Sequence, residues 1–397
     1  MIKYLRYFTL SGLMFASIFT MMLGGSWMSF AGVGGVLIGF VLDNIIGDDL
    51  DDPRYKHTWI LNLQLFSALP TLLMLTAGLA WQLSNWDFLA MGAAFQALTA
   101  IDPFSLRAEN QWYHYAMGMF SVGMMFGVVG TNVGHELTHR TWSKPAMIVG
   151  RWLMAFTSDA SFSIEHVYGH HKNIATRNDP ATSRRGENVY AFALRSTIDS
   201  YKSAWRIEKE RLAKFGYSVW GWRSQMMRGN AMTLAYFATF AYAAGWKGVA
   251  VFAVLTLYGK CYLEFINFVE HYGMVRVTGA PVEPRHSWNC NKRISGILLY
   301  NLTRHSHHHA MGEKPFWELR AYPDTPMMPA GYLSMIILAM LPPLWNKVMI
   351  PRVQEWDRRF AQPEELPLIH AANAASGMAD RFKLQQDEYA NGQAIVA

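Results

Sequence analysis

The sequence is poor in cysteine and poor in charge. Cys261 and Cys290 are the only two cysteines in 397 residues, which argues against a disulfide framework. Both fall in or beside regions read below as cytosolic, where thiols stay reduced. Charged residues make up 16 % of the chain, against about 25 % in ordinary soluble domains. There is no internal repeat, no low-complexity tract and no separate basic stretch interleaved with aromatics, so nucleic acid is not an expected partner. The formal charge of +6 is read instead as basic cytosolic loops.

Apolar residues are abundant. They reach 51 %, with 15 Trp and 24 Met, alongside 14 His. They come in blocks, and a helix needs about 20 apolar residues to cross a bilayer. Six stretches qualify, roughly 7–25, 28–46, 59–82, 112–134, 230–247 and 249–269. Lys3 and Arg6 precede the run from Phe8 to Leu23, and with no small-x-small cleavage site after it this run is expected to be a retained first helix. The segment 83–111 holds a shorter run, Phe88 to Ala100, expected to be re-entrant or interfacial. The run Tyr332 to Leu344 is broken by Pro342 and Pro343 and is expected in the interface or packed on the bundle. The expected fold is an all-α integral membrane protein with six transmembrane helices, forming one domain over 1–361. The polar residues 362–397 are expected to be a peripheral tail.

Basic residues set the orientation. Lys3 and Arg6 place the N-terminus in the cytosol. Counting spans then puts 47–58, 135–229 and 270–361 on that side, where Arg140, Lys144, Arg151, Lys172, Arg177, Arg184, Arg185, Arg195, Lys202 and Arg206 lie. The other side has short connectors and the 83–111 segment with Arg107. A multi-pass protein of the cell (inner) membrane follows, embedded in the lipid bilayer with its polar part facing the cytosol.

Four segments carry the chemistry: His135-Glu136-Leu137-Thr138-His139, Glu165-His166-Val167-Tyr168-Gly169-His170-His171, Asn267-Phe268-Val269-Glu270-His271-Tyr272-Gly273, and Arg304-His305-Ser306-His307-His308-His309. Residues i and i+4 lie one turn apart on one helix face, so His135 with His139, His166 with His170, and His305 with His309 are each expected to reach one small volume. His171 and His308 add neighbours offset around the helix, available to a second metal. Glu136, Glu165 and Glu270 each directly precede a histidine and are candidate second-shell partners or ligands. A single such pair is usually ordinary surface or core, and His271 alone would read as a satisfied interfacial histidine. Nine clustered histidines on one side of a membrane point to function.

Three readings compete. His-Glu-Leu-Thr-His matches the zinc-protease pattern with Glu136 as general base, but a protease would leave six of the nine clustered histidines idle. A metal transporter would place ligands near the bilayer midplane, whereas these sit at span ends and in loops. An oxygenase or desaturase uses all of them. The imidazole set itself suits zinc, copper, iron or nickel, and redox chemistry at an apolar substrate points to iron.

From about 40 to 365 the chain resembles the integral-membrane alkane hydroxylase family, which shares its histidine boxes with xylene monooxygenases and membrane fatty-acid desaturases. The resemblance is carried by Gly134 to His139, Glu165 to Lys172, Asn178 to Arg184, Gly186-Glu187-Asn188 with Tyr190, Glu270-His271-Tyr272-Gly273, His286-Ser287-Trp288-Asn289 and Arg304-His305-Ser306. The Glu-His-Tyr-Gly segment separates alkane and alkyl-arene hydroxylases from desaturases. The resemblance implies a six-helix bundle with two non-haem iron ions at the cytosolic face, dioxygen as oxidant, and electrons from rubredoxin or a ferredoxin-type donor with its reductase. The ligands it implies are His135, His139, His166, His170, His171, His271, His305, His308 and His309. The activity it implies is terminal hydroxylation of n-alkanes to primary alcohols, with methyl hydroxylation of an alkyl-arene or a fatty-acyl reaction as alternatives. His307 stands where relatives have Asp or Asn, and 83–111 looks longer than in typical members.

Burying each methylene contributes about 0.8 kcal/mol, so an apolar channel binds a chain but separates neighbouring lengths poorly. A steric stop is needed. In Ala31-Gly32-Val33-Gly34-Gly35-Val36-Leu37-Ile38-Gly39-Phe40, Gly32, Gly35 and Gly39 share a helix face. They mark either close helix packing or an open substrate lane beside Gly35 and Gly39. The basic residues Arg177, Arg184, Arg185 and Arg195 form a candidate dock for an acidic electron donor.

Overall fold

The structure, a computed structural model, describes residues 2–382. It is helical throughout, and no strand occurs among the described residues. Four helical stretches are long and apolar enough to cross a membrane: Gly25–Ile45, Thr58–Leu83, Trp112–Thr138 and Gln225–His271. They become five if the bent pair Tyr332–Ala339 and Pro342–Arg359, angled by 120°, is one span. By this measure the expected count of six is not met, for two local reasons.

The first expected span is the 16-residue helix Phe8–Leu23, shorter than the hydrocarbon core requires. It ends where Gly24 and Gly25 both adopt positive φ, a conformation glycine takes without steric cost. The fifth and sixth expected spans are one helical run, Gln225–His271, with non-helical backbone at Ala244 and at Gly245, whose φ is 62°. Phe237 and Phe252 are fifteen residues apart and would lie about 22 Å apart on a straight helix. Their ring centroids are instead 4.8 Å apart, and Phe240 and Phe252 are 5.0 Å apart. The chain therefore reverses at Ala244–Gly245 into two antiparallel arms.

Between the spans, 83–111 forms short helices, Met91–Thr99 and Pro103–Ala108 among them, tied down by Arg107, whose guanidinium lies 4.1 Å from the Trp81 ring centroid. Within the expected tail, Leu366–Ala375 packs inward through the fully buried Ile369, and Phe382 is buried too. Residues 383–397 of that tail lie outside the described residues.

Candidate metal centre

The histidines are delivered by helix ends and short helices. His135 lies in the last turn of Trp112–Thr138, and His139 follows it. This end crosses the Lys144–Ala155 helix closely. A Cβ on Gly134 would meet the Gly150 carbonyl at 3.2 Å, and one on Gly150 would meet the Gly134 carbonyl at 3.1 Å. His271 closes the second arm of the hairpin. His305–Ala310 is a six-residue helix, anchored by the buried Arg304 guanidinium, which bonds Asp52 Oδ1 at 2.8 Å, the Leu319 carbonyl at 2.7 Å and the carbonyls of Asp49 and Asp51.

All nine expected ligands converge, in two adjoining groups. His135, His139, His166, His171 and His308 bring one ring nitrogen each to within 4.8 Å of one another. Their closest Nε2 pairs are His135–His166 at 2.8 Å, His139–His166 at 3.1 Å, His166–His171 at 3.1 Å and His135–His139 at 3.2 Å. His170, His271 and His309 form the second group, and His271 also groups with His305 and Glu270. Here the Nε2 atoms of His305 and His309 are 2.9 Å apart, and those of His271 and His305 are 3.3 Å apart. The rings of His171 and His309 stack at 4.4 Å across the boundary between groups.

One expected pairing is overturned. The rings of His166 and His170 stack at 5.0 Å, but their nitrogens fall in different groups. The segment His166–His170 is a π-helical turn, in which residues five apart recur on one face. His171 therefore joins His166 in the first group, and His170 turns into the second. The pairs His135/His139 and His305/His309 keep the ordinary helical spacing.

The donor chemistry fits cations. A neutral imidazole offers one lone pair, and so many converging ring nitrogens cannot all satisfy one another with shared protons. His170 Nε2 and His308 Nε2 are buried with no hydrogen-bond partner. Burial, and then the neighbouring imidazoles, hold His166, His171, His308 and His309 well below the ordinary histidine range and bring His139 and His305 to about 3. The rings are thereby kept neutral, as metal binding requires. His170 differs. Burial pulls it down, but Asp179 outweighs that and raises it, through an Nδ1 to Oδ2 contact of 2.9 Å.

The three glutamates have separate surroundings. Glu136 is engaged by Arg140 at 2.7 Å, which occupies the carboxylate that a protease would need as base. Glu165 is buried, and burial followed by repulsion from Asp179 pushes it up to about 8. Glu270 accepts from the Tyr332 hydroxyl at 2.8 Å and lies 3.3 Å from His305 Nδ1. Sequence reasoning did not single out Asp179 or Tyr332. Asp179 sits in the Asn178 to Arg184 run, whose position nine residues after His170 carries no periodic signal. His307 faces elsewhere: its Nδ1 accepts from the Arg320 amide at 2.9 Å, and its ring lies 5.0 Å from that of Tyr322.

Of the four arginines of the expected dock, two are committed. Arg185 is buried, bonding Asp357 at 2.6 Å and Asn373 at 2.6 Å. Arg195 pairs with Glu187 at 2.8 Å. Arg177 and Arg184 are exposed and line a cavity of about 600 Å³ together with Asp179. In the glycine-rich span, a Cβ on Gly32 would strike Phe120 and Ser121, whereas Gly35 has only the Phe30 carbonyl at 4.0 Å and Gly39 only Leu298 at 3.8 Å.

A family model described as fatty acid desaturase matches residues 110–339, which takes in all four histidine segments. Alkane 1-monooxygenase 1 of Pseudomonas aeruginosa is 38 % identical over 253 residues, covering 62 % of this chain and 66 % of that protein. The alkane 1-monooxygenase of Acinetobacter baylyi is 38 % identical over 240 residues, covering 59 % and 58 %. The hydroxylase component of the xylene/toluene monooxygenase of Pseudomonas putida is 33 % identical over 260 residues, covering 65 % and 70 %. The matched region thus spans 58–66 % of the length of these two alkane enzymes.

Proposed function

The chain belongs to the fatty acid desaturase family, and from that membership and the two histidine groups we propose that it is a membrane di-iron monooxygenase that hydroxylates n-alkanes at a terminal carbon. The observation that carries this reading is the gathering of nine histidines, seven of them buried, into two adjoining groups. One iron belongs with His135, His139, His166, His171 and His308, the other with His170, His271, His305 and His309, and Glu270 stands beside the second. Counting Phe8–Leu23 as a short crossing and each arm of the Gln225–His271 hairpin as one, the spans make a six-crossing bundle in the inner membrane, with the histidine end in the cytosol.

Overall the reaction consumes the alkane, dioxygen, two electrons and two protons and yields a primary alcohol and water. Bound iron would supply the redox chemistry of dioxygen cleavage and C–H activation. The protein's part is to bind, orient and exclude water. Phe162 stacks on the His166 ring at 4.2 Å and stands 5.7 Å from that of His135. With Met154 and Leu263 it makes a separate buried apolar cluster, suited to holding a hydrocarbon end dry beside the first group. The open side of Gly35 is the lane for the rest of the chain. Asp179 fixes the His170 ring and the Tyr332 hydroxyl holds Glu270. Electrons arrive from rubredoxin or a ferredoxin-type donor over Arg177 and Arg184.

A second reading, methyl hydroxylation of an alkyl-arene, is favoured by the xylene/toluene monooxygenase component, of which the chain covers 70 %. Product analysis decides. Membranes containing the protein, given reductant and dioxygen, are supplied in parallel with an n-alkane, an alkyl-arene and a fatty-acyl substrate. A primary alkanol as main product supports the first reading, a benzylic alcohol the second, and an unsaturated acyl product would displace both.

A further inference from the structure

The Val189–Ala213 helix is divided lengthwise into three stripes. Val189, Phe192, Ala193, Ser196, Ser203 and Ala204 are buried against the protein. Arg195, Asp199, Lys202 and Arg206 recur at intervals of four, three and four, which places them on one face. Tyr190, Leu194, Ile198 and Tyr201 recur at four, four and three, and all four are exposed, Leu194 by 67 %. A helix bathed only in water and protein has two faces to satisfy. The third, apolar and uncovered, calls for a third medium.

The helix lies where such a medium would be. Near its start, the Tyr190 ring meets Phe265 at 6.1 Å and Phe192 meets Phe268 at 5.5 Å, on the returning arm of the hairpin. Further along, Asn230 Nδ2 donates to the Tyr201 hydroxyl at 3.2 Å, on the outgoing arm. Counted from the reversal at Ala244–Gly245, Asn230 lies about 21 Å along its arm and Phe265 about 30 Å along its own. The helix therefore crosses the open end of the hairpin obliquely, its start about one hydrocarbon thickness of ~30 Å from the turn, where the arms leave the membrane. The apolar stripe continues through Trp205, whose ring meets Trp220 at 5.1 Å, into a loop where Trp220 and Trp222 are also exposed. Indole rings beside basic residues, here Arg223 and Arg228, are the usual population of a lipid headgroup layer.

We propose that Val189–Ala213 is a membrane-surface helix, with Tyr190, Leu194, Ile198 and Tyr201 seated at the headgroup–acyl boundary and Trp220 and Trp222 extending the contact. Interfacial helices bury their apolar face about 5–10 Å deep. The buried stripe packs against the segment that carries His166, His170 and His171. The bilayer thus braces that segment from outside the spans.

The test places single nitroxide labels at Leu194→Cys, Ile198→Cys, Lys202→Cys and Arg206→Cys of the full chain, in a Cys261→Ser background, reconstituted in vesicles of phosphatidylcholine with anionic lipid. Collision with dioxygen, which concentrates in lipid, is compared with collision with a water-soluble nickel chelate. Labels at 194 and 198 are expected to be several-fold less open to nickel than those at 202 and 206, and open to dioxygen. Equal nickel access at all four sites would place the stripe in water and overturn the proposal. Exclusion of both reagents at 194 and 198 would mean that protein, such as a second copy, covers the stripe, which also overturns it. The readout needs neither metal nor turnover, so its failure is distinct from failure of the hydroxylase reading.

Discussion

The carboxylate of Asp179 lies 2.9 Å from His170 Nδ1, and both side chains are buried. The contact leaves Nε2 of the same ring facing the second histidine group, without a partner. A carboxylate behind a histidine fixes the ring's tautomer and direction and raises its basicity, and losing such a partner typically costs 10–100-fold in metal affinity. Asp179→Ala is therefore expected to lose one of two irons on dialysis against a weak chelator while the protein stays in the membrane fraction. Iron per chain, measured against the undialysed variant, checks this. Full retention would show that Asp179 does not support a ligand.

His307 and His308 are neighbours with opposite consequences. His307 accepts a hydrogen bond from the Arg320 amide, and His308 joins the five-histidine group. His307→Ala is expected to keep both irons and cost about 0.5–1.5 kcal/mol for one hydrogen bond. His308→Ala is expected to lose iron. Metal content and thermal unfolding of the two variants side by side separate the roles.

Arg184 and Arg185 are likewise adjacent and unlike. Arg177→Glu with Arg184→Glu is expected to lower kcat/KM for a protein electron donor at low salt, with the deficit shrinking as salt screens the attraction. Turnover with a small chemical reductant should be unaffected. Arg185→Ala instead strands the buried Asp357 carboxylate, an effect on the order of 3–5 kcal/mol, and is expected to lower the yield of folded protein. A double variant that equals wild type with the protein donor at low salt would move the dock elsewhere.

Space beside Gly35 tests the channel. Because nothing but the Phe30 carbonyl lies within 4 Å of its would-be Cβ, Gly35→Trp is expected to fold, keep its iron and still turn over short alkanes, while the longest alkane accepted becomes shorter. A chain-length series with wild type and variant checks it. An unchanged profile in a folded variant would rule the lane out.

Much of the site was legible because its signals are local. The i,i+4 pairs His135/His139 and His305/His309 are set by helical geometry, and the structure keeps them. The pairing of His166 with His170 was misread because a π-turn has no composition signature; only its backbone hydrogen bonding moves His171 onto the face of His166. The hairpin was legible as two apolar runs meeting near Lys247 and Gly248, and its reversal lies a few residues earlier, at Ala244–Gly245. Asp179 was hidden because its bond to His170 depends on how the loop after the π-turn closes, which no periodicity encodes. Among the basic residues, sequence counted charges, while only the structure shows Arg185 and Arg195 already paired.

The decisive question is whether the two histidine groups hold two irons. Protein purified anaerobically and loaded with ⁵⁷Fe answers this through metal analysis and Mössbauer spectroscopy. Two irons per chain are expected in two distinguishable environments, one of which disappears in His271→Ala. Stoichiometric zinc with no iron, or a single iron unaffected by His271→Ala, would contradict it.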